Sequence, residues 1–227
     1  MAAGTPVREP HRPVVVAFDV VETLFSLAPV AAALEPIGVD LELFFTRLLR
    51  DAFALAASGD FRPFGDVARS ALGTLAADAT RPDHDRVIEA FGRLPAHPDA
   101  APALRRLSEA GVTVVALTNG SADNTRRLLA DAQLDDHLQR VISVDEVGIW
   151  KPAPAPYLHA AAVVGHRPQD VALVAVHAWD IHGAHRAGLT TGWCARLEGP
   201  YPAMFDPASV TGADLVAVAD ALLDLPV

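Results

Sequence analysis

The sequence predicts an α/β protein with a Rossmann-like, doubly wound parallel sheet and an all-helical cap inserted after the first strand. Three observations lead to this fold class. Residues 14–18, VVVAF, form a short β-branched run that is typical of a buried strand. From about residue 30 to residue 94 the apolar spacing is helical, with no strand pattern. After that, apolar runs alternate with amphipathic segments, which indicates parallel strands joined by helices.

Local signals then locate each element of the alternating part. A helix over residues 101–111 ends at Gly111, since glycine commonly follows the last helical turn. Four further strands are predicted at residues 112–120, 140–144, 170–180 and 189–195. The helices that separate and follow them are predicted at residues 121–132, 151–165, 181–188 and 213–224. The domain limits follow: a flexible tail at 1–12, a core at 13–28 and 97–227, and a cap at 29–96.

Bulk composition excludes several classes of function. The 227 residues are 51% hydrophobic, enough for a large core, and the formal net charge is -10. No basic stripe offsets that charge, so neither nucleic acid nor an anionic membrane surface is an expected partner. One cysteine, Cys194, excludes an intrachain disulfide and is predicted to be a buried structural thiol. Without an apolar run of membrane-spanning length or a signal-peptide core, a cytoplasmic location is expected.

Polar residues follow several of the predicted strands. In an open parallel sheet, ligands bind outside the carboxyl ends of the strands, so these side chains are expected to converge there. Taken singly, each has an ordinary explanation as a helix cap, a turn residue or a solvated charge. Together, and in this order, they predict a functional site. The residues are Asp19, Thr118, Asn119, Lys151, His177 and Asp180.

The order of these residues resembles the motifs of the haloacid dehalogenase-like hydrolase superfamily, over nearly the whole chain. Asp19 and Thr23 match its first motif, Thr118 the second, Lys151 the third and Asp180 the fourth. The resemblance implies that Asp19 is a nucleophile whose carboxylate forms a covalent intermediate that water then cleaves. Lys151 would balance the charge of Asp19 beside an anionic substrate.

Val21 favours carbon–halogen hydrolysis over phosphoryl transfer. Phosphatases of this superfamily carry a second aspartate two residues after the nucleophile, where it protonates the leaving alkoxide. Valine cannot donate a proton, whereas halide leaves without one. In the fourth motif Asp180 stands alone, so Mg²⁺ would have only Asp19 and Asp180 as side-chain carboxylates. We therefore expect no cofactor and no metal, with Val21 as a pocket wall.

The fourth motif resembles the L-2-haloacid dehalogenase branch in particular, through Trp179, Asp180, Gly183 and Ala184. Tyr157, six residues after Lys151, matches a tyrosine of the same branch. This resemblance implies a small 2-halocarboxylate as substrate and the pairing of two copies into a homodimer through helices. It also implies that the substrate is bound by Val21, Arg47, Thr118, Asn119, Tyr157 and Trp179.

Among these, Thr118 and Asn119 would hold the substrate carboxylate. Arg47 is the predicted halide-binding arginine of the cap, and Arg50 lies three residues further on the same helix. The cap phenylalanines Phe44, Phe45 and Phe61 are predicted mainly to fill the cap core, with a pocket wall as the alternative.

The sequence also departs from that branch. Its Ser-Ser-Asn before the fourth motif is replaced by Ala175, Val176 and His177. Our hypothesis is that His177 positions or deprotonates the hydrolytic water, and the alternative is that it only caps the strand. Glu22 stands where glycine is frequent in the family and is interpreted as a turn residue. Asp180 is expected to orient Lys151.

Two alternative functions stay open at the level of sequence. One is a Mg²⁺-dependent small-molecule phosphatase that tolerates Val21. The other is a non-catalytic protein that keeps the fold to bind a carboxylate or a protein partner.

Overall fold

In the computed structural model, residues 10–227 are described, so most of the predicted tail at 1–12 lies outside them. Six parallel strands form one sheet in the order β3-β2-β1-β4-β5-β6. The α/β class and the parallel sheet are confirmed. The strands are β1 Val15–Phe18, β2 Thr113–Thr118, β3 Arg140–Ser143, β4 Val171–Ala175, β5 Thr190–Cys194 and β6 Val210–Gly212.

Strand β1 lies in the middle of the sheet, between β2 and β4. All four of its residues are buried, and they alternate between the two faces of the sheet. Val16 and Phe18 belong to one core cluster, and Val15 and Ala17 belong to the other. The strand order reverses between β1 and β4, which makes their carboxyl ends the expected ligand crevice.

Two strands differ from the sequence prediction. Strand β6 was not predicted, because its three residues, Val-Thr-Gly, give no apolar run that periodicity can detect. Strand β4 ends at Ala175 rather than continuing to Asp180. His177 is instead the N-cap of a helix, α8, that spans Ala178–Arg186. Asp180 consequently lies in the first turn of a helix at the edge of the sheet.

Helices cover both faces of the sheet. The first core cluster contains α5, α6 and α9, and the second contains α7 and α8. Cys194 is buried, as predicted. Within residues 10–227 there is no helix with the length and apolarity needed to span a membrane. The core helices are α5 Ala100–Glu109, α6 Ala122–Asp131, α7 Pro154–Val163, α8 Ala178–Arg186 and α9 Leu215–Leu223.

The helices between β1 and α5 form the cap, and the chain enters and leaves it along two adjacent segments. Ser26 N donates to Pro95 O at 2.9 Å, and His97 N donates to Leu24 O at 2.8 Å, so the two crossings are joined. The proposed limits of the cap, residues 29–96, stay a prediction. The cap helices are α1 Ala28–Leu34, α2 Leu41–Ser58, α3 Phe64–Leu75 and α4 Arg81–Ala90.

Candidate active site

Asp19 is delivered to the carboxyl edge of the sheet by the buried strand β1. Its backbone N–H still pairs with Val174 O at 3.0 Å, so its position is fixed by the sheet. Thr23 Oγ1 donates to Asp19 Oδ2 at 2.7 Å and accepts from Val176 N at 3.2 Å. Thr23 therefore links the carboxylate to the backbone after β4, as expected of a residue that supports Asp19.

Lys151 is wholly buried, and its ammonium group bridges two carboxylates. Nζ donates to Asp19 Oδ1 at 2.8 Å, to Asp180 Oδ2 at 2.6 Å and to Leu117 O at 3.1 Å. All three N–H bonds of the ammonium are therefore used. Burial would lower the pKa of Lys151, but the charges of Asp180 and Asp19 outweigh it and raise the pKa. The lysine stays charged and sets the position of both acids.

The two acids respond differently to their surroundings. Burial would raise the pKa of Asp19, but the Lys151 ammonium and the nearby His177 ring lower it below its usual range. Burial raises the pKa of Asp180, and the Lys151 charge opposes that shift. Asp19 is thus an ionised, partly desolvated carboxylate, which is the state that a nucleophile requires.

Tyr157 is buried beside Asp180. Its side chain has no exposed surface, and its hydroxyl donates to Asp180 Oδ1 at 2.6 Å. Burial and the Asp180 charge raise the pKa of Tyr157 well above its ordinary value, so it remains a donor. The structure therefore places Tyr157 against Asp180, and its contact with substrate stays a prediction. Tyr157 takes this position because α7 directs its side chain into the core between α7 and α8.

His177 is joined to Glu22, which the sequence had suggested was only a turn residue. His177 Nε2 lies 2.9 Å from Glu22 Oε2, and Nδ1 lies 3.4 Å from Asp19 Oδ2. Burial would lower the pKa of His177, but the contacts with Asp19 and Glu22 raise it to about 10. The joint departure of Glu22 and His177 from the family pattern was the one available signal for this pair, although they lie 155 positions apart.

Aromatic side chains form a wall beside His177. The Trp179 ring stacks on His177 with centroids 5.3 Å apart, and Phe53 of the cap meets Trp179 edge-on at 5.0 Å. Phe45 lies 6.4 Å from His177, whereas Phe44 packs inside the cap. Trp179 thus lies beside His177, and its contact with substrate stays a prediction; Phe53 is an aromatic neighbour that no sequence signal indicated.

The structure does not bring Arg47 to this site. Phe45 faces His177, and two further residues turn an α-helix by about 200°, so Arg47 projects from the opposite side of α2. Arg50 is exposed and donates to Asp51 Oδ1 at 2.9 Å. The charges that face Asp19 are therefore those of Lys151 and His177.

Thr118 and Asn119 hold the loop after β2 beside the lysine. Thr118 Oγ1 accepts from Gly120 N at 2.9 Å, and Asn119 Oδ1 accepts from Lys151 N at 3.0 Å. A cavity of about 710 Å³ between cap and core is lined by Val20, Val21 and Thr118 together with residues of α4 and α6. Val21 therefore presents an apolar surface to open space close to Asp19.

The carboxylates do not fit a magnesium site. The Lys151 ammonium lies between Asp19 and Asp180, in the position from which a cation would contact both. Asp180 has its second oxygen taken by Tyr157. Within residues 10–227, no cluster of three or more His, Cys, Asp or Glu is arranged to hold a metal ion. A divalent cation here would face a fixed positive charge instead of free oxygen ligands.

Comparison with known proteins agrees with this arrangement. The chain is 34% identical over 168 residues to (S)-2-haloacid dehalogenase 4A of Burkholderia cepacia, covering 74% of this chain and 71% of that protein. It is 30% identical over 216 residues to a phosphoserine phosphatase of Thermus thermophilus, covering 78% of this chain and 87% of that one. A solved L-2-haloacid dehalogenase superposes with a TM-score of 0.86 at 27% identity, over 92% of this chain and 97% of the other.

A model of haloacid dehalogenase-like hydrolases matches residues 14–188, from the first residue before β1 to the end of the α8 region. That range includes Asp19, Lys151 and Asp180, whose contacts define the site. The chain belongs to the haloacid dehalogenase-like hydrolase family.

Proposed function

We propose that this protein hydrolyses the carbon–halogen bond of small 2-haloacids through an ester formed on Asp19. One observation carries the proposal. Asp19 is an ionised carboxylate paired with Lys151, and the residue two positions later is the apolar Val21 instead of a proton donor. Such a site suits a leaving group that needs no proton. The similarity to (S)-2-haloacid dehalogenases supports the same reaction.

In the first step, a carboxylate oxygen of Asp19 attacks C2 of the substrate. The new C–O bond forms as the carbon–halogen bond breaks, halide leaves with the electron pair, and the configuration at C2 inverts. Thr118 and Asn119 hold the substrate carboxylate, and Val21 and Trp179 wall the carbon chain. Lys151 keeps Asp19 ionised until attack, because its charge offsets the cost of burying the acid.

In the second step, water attacks the ester carbonyl of Asp19, with His177 as the base. While Asp19 is ionised, His177 holds its proton, since both carboxylate partners raise its pKa to about 10. Ester formation removes the charge of Asp19, so the pKa of His177 falls and its proton is released to solvent. Neutral His177 then accepts a proton from water as the hydroxide adds to the carbonyl carbon. The tetrahedral intermediate collapses with cleavage of the bond between the Asp19 carbonyl carbon and the ester oxygen, and its hydroxyl proton passes to the departing oxygen of the 2-hydroxyacid. The returning Asp19 charge keeps His177 protonated.

Glu22 orients His177 throughout, because its carboxylate contacts Nε2 and leaves Nδ1 directed toward Asp19. The arrangement resembles other catalytic histidines, in which one ring nitrogen is held by an acid and the other faces the reaction.

Halide release is the direct test. The purified protein is incubated with 2-chloropropionate and with a panel of chloro-, bromo- and fluoroacids, and halide and 2-hydroxyacid are quantified. We expect equal amounts of both products. The control is Asp19→Asn, which keeps the side-chain size and is expected to release none. Absence of halide release with every substrate of the panel would reject the proposal.

His177→Asn tests the second step. We expect one halide per active site in a rapid burst, followed by slow turnover, with the ester mass retained on the peptide that contains Asp19. Loss of a general base typically costs about 10²- to 10⁴-fold. Full steady-state turnover in this variant would contradict a base role for His177.

The same assay also tests phosphatase activity, because the chain is similar to a phosphoserine phosphatase. Phosphate release from phosphoserine that depends on added Mg²⁺, without halide release, would replace the dehalogenase proposal. A homodimer is also a proposal, which sedimentation equilibrium would test.

A further inference from the structure

Two residues of the segment that follows β5, Arg196 and Glu198, contact the backbone at Glu22 and directly after His177. Arg196 Nη2 donates to Thr23 O at 2.7 Å and lies 3.5 Å from Glu22 O. Its Nη1 donates to Asp99 Oδ2 at 2.6 Å. The Arg196 guanidinium thus links the turn after β1 to Asp99, the N-cap residue of α5.

The turn that contains Glu22 requires stabilising contacts from outside the turn. Glu22 has a φ of 65°, in the left-handed region, and it is not a glycine. That conformation is unfavourable for a non-glycine residue and persists only when its surroundings enforce it. The left-handed backbone is what turns the Glu22 carboxylate toward His177, so the Arg196 contacts act on the position of the acid.

The same segment holds the histidine. Glu198 Oε2 accepts from Ala178 N at 2.8 Å, the amide directly after His177. Trp193, at the end of β5, donates from Nε1 to Val176 O at 2.9 Å, the carbonyl directly before His177. His177 itself caps α8 without a side-chain hydrogen bond to the helix, so its ring is free to point at Glu22 and Asp19.

We propose that Arg196 and Glu198 are positioning residues that hold Glu22 and His177 in the geometry for water activation. Arg196 acts through the backbone of the Glu22 turn, and Glu198 acts through the first amide of α8. The catalytic part of this inference rests on the proposed dehalogenase function, because it assigns the two residues to the second step of that reaction.

The kinetic experiment separates the two steps in Arg196→Ala and Glu198→Ala. Rapid quenching with mass spectrometry measures ester formation on Asp19 and its decay. We expect ester decay to slow by about 10²-fold, since a displacement of about 1 Å has that effect, while ester formation changes by less than twofold. Arg106→Ala, which removes an exposed arginine that pairs with Asp220, is the matched control and should alter neither step.

Conservative variants distinguish a loss of positioning from a loss of folding. Glu198→Gln keeps an oxygen that accepts from Ala178 N and is expected to restore most of the decay rate. Arg196→Lys keeps the charge but cannot reach both carbonyls and Asp99 together, so it should restore less. Equal slowing of both steps in the alanine variants, or no slowing, would overturn the proposal.

A second readout does not depend on activity. Imidazole NMR of the unliganded protein follows the titration of His177, and we expect its pKa to fall in Arg196→Ala and Glu198→Ala because Glu22 is no longer held against Nε2. An unchanged His177 titration in both variants overturns the positioning role. A lowered pKa in a protein that releases no halide supports the positioning role and rejects the proposed function instead.

Discussion

Lys151 shows how a single residue can organise a site. Two opposite charges about 4 Å apart attract by about 4 kcal/mol at an effective dielectric of 20, and Lys151 makes two such contacts at shorter range. That attraction offsets the cost of burying three ionisable groups. The same balance makes each partner necessary, because removing one leaves the others buried without compensation.

Lys151→Met is therefore expected to destabilise the protein by about 3–5 kcal/mol, as it leaves Asp19 and Asp180 without their cation. Halide release should be lost as well. Urea unfolding at pH 7 measures the change. The penalty should shrink at lower pH, since protonation relieves the unpaired acids. Arg167→Ala, which breaks a solvent-screened pair with Asp170, is the control and should change the stability little.

His177 makes stability depend on pH with a definite sign. Its pKa is raised to about 10 in the folded state from an ordinary value of 6.5. The contribution is therefore complete below pH 6.5 and is lost as pH rises through about 10. We expect the unfolding free energy of wild type minus that of His177→Asn to decrease steadily between pH 7 and 10. A difference that stays constant over that range would contradict the assignment.

At the scale of single elements, helix α8 decides where the fourth motif lies. It begins at Ala178, inside the strand that was predicted to run to Asp180, and its first turn carries Trp179 and Asp180 to the edge of the sheet. Helix α7 packs against it closely enough for Tyr157 to reach Asp180. The small residue that permits this approach is Gly183.

Gly183→Ala should disrupt the α7–α8 contact. A Cβ at this position would lie 2.6 Å from Pro152 Cβ and 2.7 Å from the Tyr157 hydroxyl. We expect a loss of about 1–3 kcal/mol in urea unfolding and a lower turnover, because the Tyr157–Asp180 hydrogen bond is displaced. Gly73→Ala in α3 meets nothing within 4 Å and should instead stabilise by about 0.5–1 kcal/mol. Similar effects of the two substitutions would argue against this packing.

At the scale of the whole molecule, the site depends on the cap lying against the core. Trp150 Nε1 donates to Arg62 O of the cap at 2.9 Å, and its ring stacks on Phe64 at 5.9 Å. Asn124 Nδ2 of α6 donates to Phe91 O at 2.9 Å. These contacts keep Phe53 against Trp179 and so complete the aromatic wall.

Trp150→Phe keeps an aromatic ring but leaves Arg62 O without its donor. We expect a loss of about 1–3 kcal/mol in stability and a several-fold lower kcat/KM for 2-chloropropionate, because the cap is held less firmly. Tyr201→Phe is a matched control, since it removes a hydrogen bond to Asp206 O that does not join the cap to the core. That variant should lose stability only. An unchanged kcat/KM in Trp150→Phe would show that this bond does not set the cap position.

The sequence by itself determined five of the six strands, the helices of the cap and the grouping of Asp19, Lys151 and Asp180. Their signals are local: an apolar run ending in Asp19, a lysine after β3, and an acid after β4. Even there, the end of β4 was misjudged, because VALVAVHAW continues an apolar pattern across a helix start. Strand β6 was missed for the opposite reason, as three residues carry too little pattern.

Only the tertiary structure decided which side chains meet. The contact between Glu22 and His177 joins residues 155 positions apart and depends on a left-handed turn that no spacing reveals. The direction of Arg47 depends on the rotational phase of α2 against the core, and that phase is set by the packing of the cap. Tyr157 turns inward because α7 lies against α8. Each of these outcomes depends on how elements pack, whereas the identity of the elements depends on local pattern.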